Sequence, residues 1–335
     1  MKTFYPLPVL GAPSQPPPFD WQGWYDAVGG RTITIDEATM WLGRIQTEQY
    51  PRFDGPVAET RREFVSPADA SEWVKGRARA LGADLVGIAE IEPTDIYRDR
   101  SVNYRYAIVV GARMAYEQFV TVPSESAAVE CLRIYFSLGE TVLHLADELR
   151  AAGIACGVEH PIGDSSVLHV PLALKAGFGE LGRHGSIIHP ELGPLFRIGS
   201  ILTNLEMVTD EPMDAGIAAF CDKCQACRIF CPADAIPDER YHDGTVDPIG
   251  NPRYVVDTGK CFPYFARANY CSACLSVCAY HHKQWATMND GTVGPYPTVP
   301  FGTVPAPTDP SENVHIYPKL RRDESSPRAG VGWGG

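Results

Sequence analysis

The sequence predicts an α+β protein in which a mixed α/β core is followed by a small cysteine-rich module. Three observations predict this fold. Strand-like and helical segments alternate between residues 67 and 202, which is typical of one mixed core of about 150 residues. Eight cysteines then crowd into one stretch, and both ends of the chain are rich in proline and glycine. We therefore divide the chain into an irregular arm (1–64), a core (65–215), a cysteine module (216–290) and a tail (291–335).

The core elements follow from hydrophobic periodicity. A long helix should begin near Ser124, whose hydroxyl is a suitable N-cap with Glu125 in the first turn, and should end at Gly153. Apolar residues recur along it at helical spacing on one face. The other expected elements are a helix over 67–81, strands over 85–89 and 106–111, a tight turn over 177–182 and an apolar run over 198–202.

Composition excludes several classes of function. The 335 residues are 44% hydrophobic and 21% charged, as in ordinary globular proteins. A net charge of -12 argues against a nucleic-acid-binding surface, which needs a basic patch. No apolar run reaches the roughly 18 residues that a membrane span requires, and the first residues show neither a twin-arginine motif nor an apolar signal core. We therefore expect a cytoplasmic protein.

Two cysteine motifs carry the strongest chemical signal. The first, from Cys221 to Cys231, reads C-x2-C-x2-C-x3-C-P, and the second, from Cys261 to Cys278, reads C-x9-C-x2-C-x3-C. Two-residue spacers let one tight loop bring three thiolates to a [4Fe–4S] cube, and the fourth cysteine reaches the other cluster. Such clustering in a cytoplasmic chain indicates metal rather than disulfides. Two structural zinc sites, each with four cysteines, are the alternative.

Pairing by analogy with ferredoxins predicts the ligands of each cluster. Cluster one takes Cys221, Cys224, Cys227 and Cys278, and cluster two takes Cys231, Cys261, Cys271 and Cys274. The second motif lacks the usual proline after its last cysteine, but that proline shapes a turn and is not a ligand. Cys131 and Cys156 stand apart, and we expect both to be small buried hydrophobic side chains.

The chain ahead of the cysteines is much longer than a ferredoxin needs, which favours an enzyme. Residues 171–185 and 189–197 resemble segments of reductive dehalogenases, and the run Asp210-Glu211-Pro212 and the second cysteine motif fit the same family. This resemblance implies a nitroreductase-like α/β core that binds cobalamin base-off, followed by a ferredoxin-like module with two [4Fe–4S] clusters. Some members of the family carry a twin-arginine leader, and some others carry a fused flavin and ferredoxin module that supplies electrons. We expect neither in this protein, and therefore expect an external ferredoxin or flavodoxin-type electron donor.

The resemblance also implies a catalytic pair, Tyr135 and Arg197. Family chemistry needs a proton donor beside the cobalt and a cation that makes the phenol a better acid. A guanidinium within hydrogen-bond reach would stabilise the phenolate in this way. Tyr135 is otherwise a core aromatic, and Arg197 is otherwise part of a surface salt bridge. Tyr104, Tyr106 and Tyr116 are the rival phenols.

Corrin contacts are expected in the family-like segments. Glycines there either let the backbone approach the corrin closely or simply form a tight turn. Histidines there could face a cofactor or substrate, as could His160 and His169, although local hydrogen bonding is the commoner role. The sequence lacks a D-x-H-x-x-G motif, which agrees with base-off binding. The candidate contacts are Gly177, Phe178, Gly179, Gly182, His184 and His189.

These features predict reductive dehalogenation of a small organohalide, with Tyr135 as the proton donor. Cleavage of a C–O bond, as in epoxyqueuosine reductase, is one alternative. That relative carries Asp-Tyr-His at the start of the long helix, where this chain reads Ser-Glu-Ser-Ala over 124–127. An electron-transfer iron–sulfur protein with a degenerate front domain is the other alternative.

Overall fold

The structure is a computed structural model that describes residues 35–98, 100–162, 165–242, 244 and 246–281. Most of the proposed N-terminal arm and the whole of the proposed tail lie outside the described residues. The described chain combines helices with sheet, which confirms the mixed class. Among the described residues, no helix is both long and apolar enough to cross a bilayer.

A four-stranded sheet lies at the centre of the core. Its strands are β1 (Leu85–Glu90), β2 (Tyr106–Arg113), β3 (Cys156–Glu159) and β6 (Phe196–Thr203), in the order β1-β2-β6-β3. All three pairings are antiparallel, so the alternation of strands and helices does not produce a parallel sheet. Strand β2 is buried along almost its whole length, because neighbours pair with both of its edges and helices cover both faces.

Two helices cover one face of the sheet. Helix α2 (Pro67–Ala80) and helix α3 (Glu125–Ala151) pack their apolar residues against it in the main core cluster. The Ser124 hydroxyl accepts a hydrogen bond from the backbone N–H of Ala127 at 3.3 Å, as the N-cap prediction requires. Local signals therefore locate the start of α3 correctly.

A further helical segment contradicts the expectation of an irregular arm. Helix α1 (Asp36–Arg44) continues into a π-helical turn (Ile45–Gln49), and both pack on α3. The ring centroids of Trp41 and Phe136 lie 5.3 Å apart, and the Gln49 amide donates to the Phe136 carbonyl at 2.8 Å. Packing against α3, rather than local sequence preference, stabilises this helix.

The opposite face of the sheet is covered by helix α4 (His169–Lys175) and by the segment that leads into a short hairpin. The hairpin consists of strands β4 (Glu180–Leu181) and β5 (Ile187–Ile188). Between α4 and the hairpin, the Phe178 ring packs edge-on against Phe196 with ring centroids 6.4 Å apart. This arrangement anchors the hairpin to the sheet.

The cysteine region is built from short helices, which the sequence did not predict. The Ser276 hydroxyl donates to the Phe119 carbonyl at 2.8 Å and so joins the last of these helices to the core. The helices are α5 (Ile217–Cys224), α6 (Ala226–Ile229), α7 (Thr258–Arg267) and α8 (Ala273–Ser276).

Candidate functional site

The eight cysteines of the module gather into two groups of four. Cys278 lies within electrostatic range of Cys221 and Cys224, and Cys227 interacts with all three. Cys274 likewise lies within range of Cys231, Cys261 and Cys271. These interactions link three cysteines of one motif with one of the other, as the predicted ligand sets require, and the assignment of ligands to each cluster stays a prediction. Cys227 and Cys274 also interact, so the two groups adjoin.

Backbone strain accompanies these loops. Within the described residues, the non-glycine positions with positive φ are Gln225 (50°), Asp234 (53°), Asn269 (44°) and Tyr270 (56°), and all lie within three residues of a module cysteine. Left-handed conformations of this kind cost about 1–3 kcal/mol each and persist where the surroundings enforce them. Gln225 ends α5 and begins α6, so the chain turns sharply between two cysteines.

Burial favours the protonated form of three thiols of the module. It raises the pKa of Cys221 and Cys261 to about 12 and that of Cys271 to about 11. A metal must therefore displace these protons when it binds. Among the described residues, no three Cys, His, Asp or Glu side chains converge tightly enough to coordinate one ion.

Tyr135 and Arg197 lie together, although not in the expected geometry. The Arg197 guanidinium carbon lies 4.7 Å from the centroid of the Tyr135 ring, so the cation covers the ring face. Its Nη2 donates to the Cys131 thiol at 2.7 Å, while its buried Nε has no hydrogen-bond partner among the described residues. Within that part of the chain no carboxylate pairs with Arg197, in contrast to the surface salt-bridge alternative. Tyr135 itself is half-buried and packs on the main core.

The rival phenols occupy other places. Tyr106 is buried at the start of β2, and the Tyr104 ring lies beside the backbone of Gly157. The Tyr116 ring packs on His281 of the cysteine module, with ring centroids 4.0 Å apart. Cys156 is buried as expected, whereas Cys131 is both buried and a hydrogen-bond acceptor for the arginine.

The candidate glycines have strong structural reasons of their own. Gly179 has φ of 133°, and a Cβ there would lie 2.1 Å from the Ile188 carbonyl oxygen. Gly177 has φ of 75°, and Phe178 is buried in the second core cluster. At Gly182 a Cβ would lie 2.6 Å from the Ile188 side chain. Close backbone packing therefore accounts for these glycines whether or not a corrin lies nearby.

The two candidate histidines make local hydrogen bonds. His184 Nδ1 accepts from the Ser186 backbone N–H at 3.1 Å, and His189 Nδ1 accepts from the Leu192 backbone N–H at 3.2 Å. Burial lowers the pKa of His184 to about 4, so this imidazole is neutral at physiological pH. Its Nε2 is buried and has no hydrogen-bond partner among the described residues.

Sequence reasoning missed two charged residues of the same hairpin. Glu180 and Arg183 are both 1% exposed, and both bond to the backbone around the first cysteines. A signal was present, since two opposite charges three residues apart interrupt an otherwise apolar, glycine-rich run. Charged side chains in such a run are rarely buried without partners.

A cavity of about 650 Å³ opens away from these groups, beside the start of α3. Neither Tyr135 nor Arg197 lines it, so we assign it no role in the reaction. Four of its lining residues are acidic and one is basic. The lining residues are Ile35, Asp36, Glu37, Gln118, Glu125, Ser126, Val129, Glu130 and Arg133.

No family model matches the chain, but individual relatives do. The tetrachloroethene reductive dehalogenase of Sulfurospirillum multivorans is 27% identical over 286 residues, covering 72% of this chain and 56% of the relative. That of Dehalobacter restrictus is 30% identical over 274 residues, covering 65% and 49%. The chain resembles the reductive dehalogenases. It spans about half the length of these curated relatives.

Solved structures agree with this resemblance. A catabolic reductive dehalogenase matches with a TM-score of 0.63 and 27% identity, covering 73% of this chain and 37% of that one. Another match with the same TM-score and 26% identity is a reductive dehalogenase described for B12-dependent dehalogenation. The epoxyqueuosine reductase of Escherichia coli is 36% identical, but over only 105 residues, which is 31% of this chain and 23% of the relative. The curated relatives named here are thus reductases of two kinds.

Proposed function

We propose that this chain is a cobalamin-dependent reductive dehalogenase, with a nitroreductase-like core and a ferredoxin-like module that carries two [4Fe–4S] clusters. One observation carries the proposal. Two interleaved groups of four cysteines, each thiol buried or half-buried, adjoin a core in which a tyrosine and an arginine are held in contact. The similarity to tetrachloroethene reductive dehalogenases supports the same conclusion. The reaction would take up two electrons and one proton and would replace a carbon–halogen bond by a carbon–hydrogen bond, with release of halide.

The thiol groups fit iron–sulfur clusters in number and in their spacing along the sequence. A [4Fe–4S] cube needs four thiolates and places them at the corners of a cube, further apart than the ligands of one zinc ion. Each group supplies four thiols, three from one motif and one from the other. The adjoining groups would pass electrons from an external ferredoxin or flavodoxin-type donor toward the core.

Two orphaned donors fit a polar ligand in the core. Buried donors almost always find a partner, yet the Arg197 Nε and the His184 Nε2 have none among the described residues. A bound cobalamin would supply a reduced cobalt centre for breaking the carbon–halogen bond. Candidate contacts on this chain are His184, His189, Phe178 and the glycines of 177–182.

Tyr135 would deliver the proton. Its hydroxyl would protonate the carbon that loses the halide, leaving a phenolate. Arg197 would stabilise that phenolate, because its positive charge lies 4.7 Å from the ring centroid in a half-buried site. The hydrogen bond from Arg197 to Cys131 fixes the guanidinium over the ring and so holds the charge in place.

The second candidate is reduction of a C–O bond, as in epoxyqueuosine reductase. The stretch of 36% identity to the Escherichia coli enzyme favours it. The two reductases differ in the group that they remove, so the substrate decides between them. The start of α3, where Ser124 caps the helix, lacks the Asp-Tyr-His run expected for that relative.

A cofactor inventory combined with turnover tests the proposal. The chain is purified without oxygen, reconstituted with cobalamin, and analysed for iron, sulfide and cobalt. We expect about eight irons and one cobalt per chain, and halide release from a chlorinated alkene or aromatic compound under a strong reductant. Stoichiometric zinc with little iron would refute the clusters. A chain with clusters but no corrinoid would refute the dehalogenase and would favour an electron-transfer protein.

A further inference from the structure

Two buried charges of opposite sign bracket the helix that carries the first module cysteines. Glu180 belongs to β4, and Arg183 follows two residues after that strand. Each is 1% exposed, and neither has a part in the proposed reaction. Both bond to the backbone at or around helix α5, which contains Cys221 and Cys224.

Glu180 takes the place of an N-cap for α5. The residue at the cap position is Gly216, with φ of 73° and no side chain that could accept a hydrogen bond. Glu180 Oε1 accepts from the backbone N–H groups of Ala215 (2.6 Å) and Ile217 (3.1 Å), and Oε2 accepts from that of Ala218 (2.8 Å). A carboxylate from another element thus satisfies the exposed donors and opposes the positive end of the helix dipole.

Arg183 binds the other end of the same helix. Its Nε and Nη2 donate to the Cys221 carbonyl at 3.1 and 3.0 Å, and Nη2 also donates to the Asp222 carbonyl at 3.2 Å. Its Nη1 donates to the Pro237 carbonyl at 3.0 Å. These bonds join two turns of the module to the core hairpin.

Among the described residues, the charge of Arg183 has no direct carboxylate partner. Within the described residues its hydrogen bonds run to backbone carbonyls, and the Tyr254 ring covers its guanidinium at 4.2 Å from the ring centroid. The nearby Asp222 carboxylate pairs with Arg240 instead, at 2.7 Å. Arg183 is therefore a buried cation whose field reaches the adjacent cysteines.

We propose that Glu180 and Arg183 are positioning residues for the first cluster, and that Arg183 raises its reduction potential above the value it would have without this cation. The inference rests on the proposed clusters. Reduction adds a negative charge to the cube, and a fixed buried cation lowers the free energy of that reduced form. The charge of Arg183 interacts electrostatically with the thiols of Cys221 and Cys224. The charges that interact with the thiols of Cys261 and Cys274 belong to other groups.

The test is a redox titration of the full chain, followed by electron paramagnetic resonance. Arg183→Met removes the cation, and Arg183→Lys keeps the charge but not the planar set of donors. Arg105→Met, which removes an exposed cation paired with Glu90, is the matched control. We expect Arg183→Met to lower the midpoint potential of the first cluster and to leave the second cluster unchanged. Arg183→Lys should stay near the wild-type midpoint, and so should the control.

A second measurement tests positioning separately from charge. Release of iron from the first cluster to a chelator should be about tenfold or more faster in Glu180→Gln and Arg183→Lys, since each loses buried charge-assisted hydrogen bonds. This readout decides the positioning role even if Arg183→Met does not fold. The first cluster is identified as the one that is lost in Cys278→Ala.

The outcomes separate this inference from the proposed function. Wild-type protein without iron would overturn both. Suppose that the wild type holds about eight irons. If Arg183→Met then left the midpoint potential of the first cluster unaltered, or shifted the midpoints of both clusters equally, the electrostatic role alone would be overturned. Wild-type rates of iron release in Glu180→Gln and Arg183→Lys would overturn the positioning role.

Discussion

The crossed assignment of the cysteines makes the sharpest prediction. Cys274 and Cys278 belong to the same motif; Cys274 lies within the short helix α8, and Cys278 follows two residues after the end of that helix. In the structure Cys274 joins the group of Cys231, whereas Cys278 joins that of Cys221. Replacing either cysteine by alanine should therefore remove a different cluster.

The expected size of the effect follows from four irons in each cube. Each single variant should fall from about eight to about four irons per chain. The double variant Cys231→Ala/Cys274→Ala should still hold about four, because both changes fall in one group. The double variant Cys274→Ala/Cys278→Ala should hold almost none, because the changes fall in both groups.

Iron and sulfide analysis after anaerobic purification measures these numbers. Electron paramagnetic resonance of the reduced protein should show two interacting clusters in the wild type and an uncoupled signal in each single variant. Cys156→Ala, which removes a buried cysteine outside the module, is the matched control and should keep the full iron content. If the Cys274→Ala/Cys278→Ala variant retained about four irons, both residues would serve one cluster and the crossed assignment would be wrong.

Three further predictions concern turnover, packing and pH. Tyr135→Phe should slow halide release by about two to four decades while cobalamin still binds, and Arg197→Ala should do the same. A normal rate in Tyr135→Phe would refute its role as proton donor. Gly179→Ala should lower the free energy of unfolding by at least about 2 kcal/mol, because its Cβ would lie 2.1 Å from a carbonyl oxygen at φ of 133°. Gly76→Ala is the control, because no atom lies within 4 Å of the place that its Cβ would take. In denaturant titrations it should raise the free energy of unfolding by about 0.5–1 kcal/mol. Burial lowers the pKa of His160 from 6.5 to about 4. Between these pH values the imidazole is protonated in the unfolded chain but neutral in the folded chain, so the free energy of unfolding falls as the pH drops from about 6.5 to about 4. His160→Gln should reduce that fall by up to about 3 kcal/mol, and an unchanged pH dependence would contradict this account.

Parts of the fold that depend on local signals were predictable. The start of α3 follows from Ser124, and strands β1 and β2 follow from unbroken apolar runs. The spacing within each cysteine motif likewise limits which thiols can meet, because two-residue spacers hold them in one loop. In each case a few neighbouring residues determine the result.

Parts that depend on tertiary contacts were not predictable. Helix α1 is stabilised by packing on α3. Its Trp41 ring packs on Phe136, a residue that is remote from it in the sequence. The guanidinium of Arg197 was expected to reach the Tyr135 hydroxyl. Instead it donates a hydrogen bond to the Cys131 thiol and lies over the face of the Tyr135 ring. Cys131 precedes Tyr135 by one helical turn, so both side chains lie on the same face of α3. Nothing in the local sequence indicates which of the two the arginine would bond.

The glycine-rich segment 177–185 shows why the roles of its glycines and buried charged residues cannot be assigned from sequence alone. Helix α5 has only eight residues, so it needs outside partners for its ends. Glu180 and Arg183 reach both ends of α5 from the hairpin, and Gly179 permits the close approach between the two sides of that hairpin at the Ile188 backbone. The same glycine was expected to approach the corrin. Gly179→Ala separates the two roles, since a packing role alone lowers stability of the cofactor-free chain, whereas a corrin contact also weakens cobalamin binding in protein that remains folded.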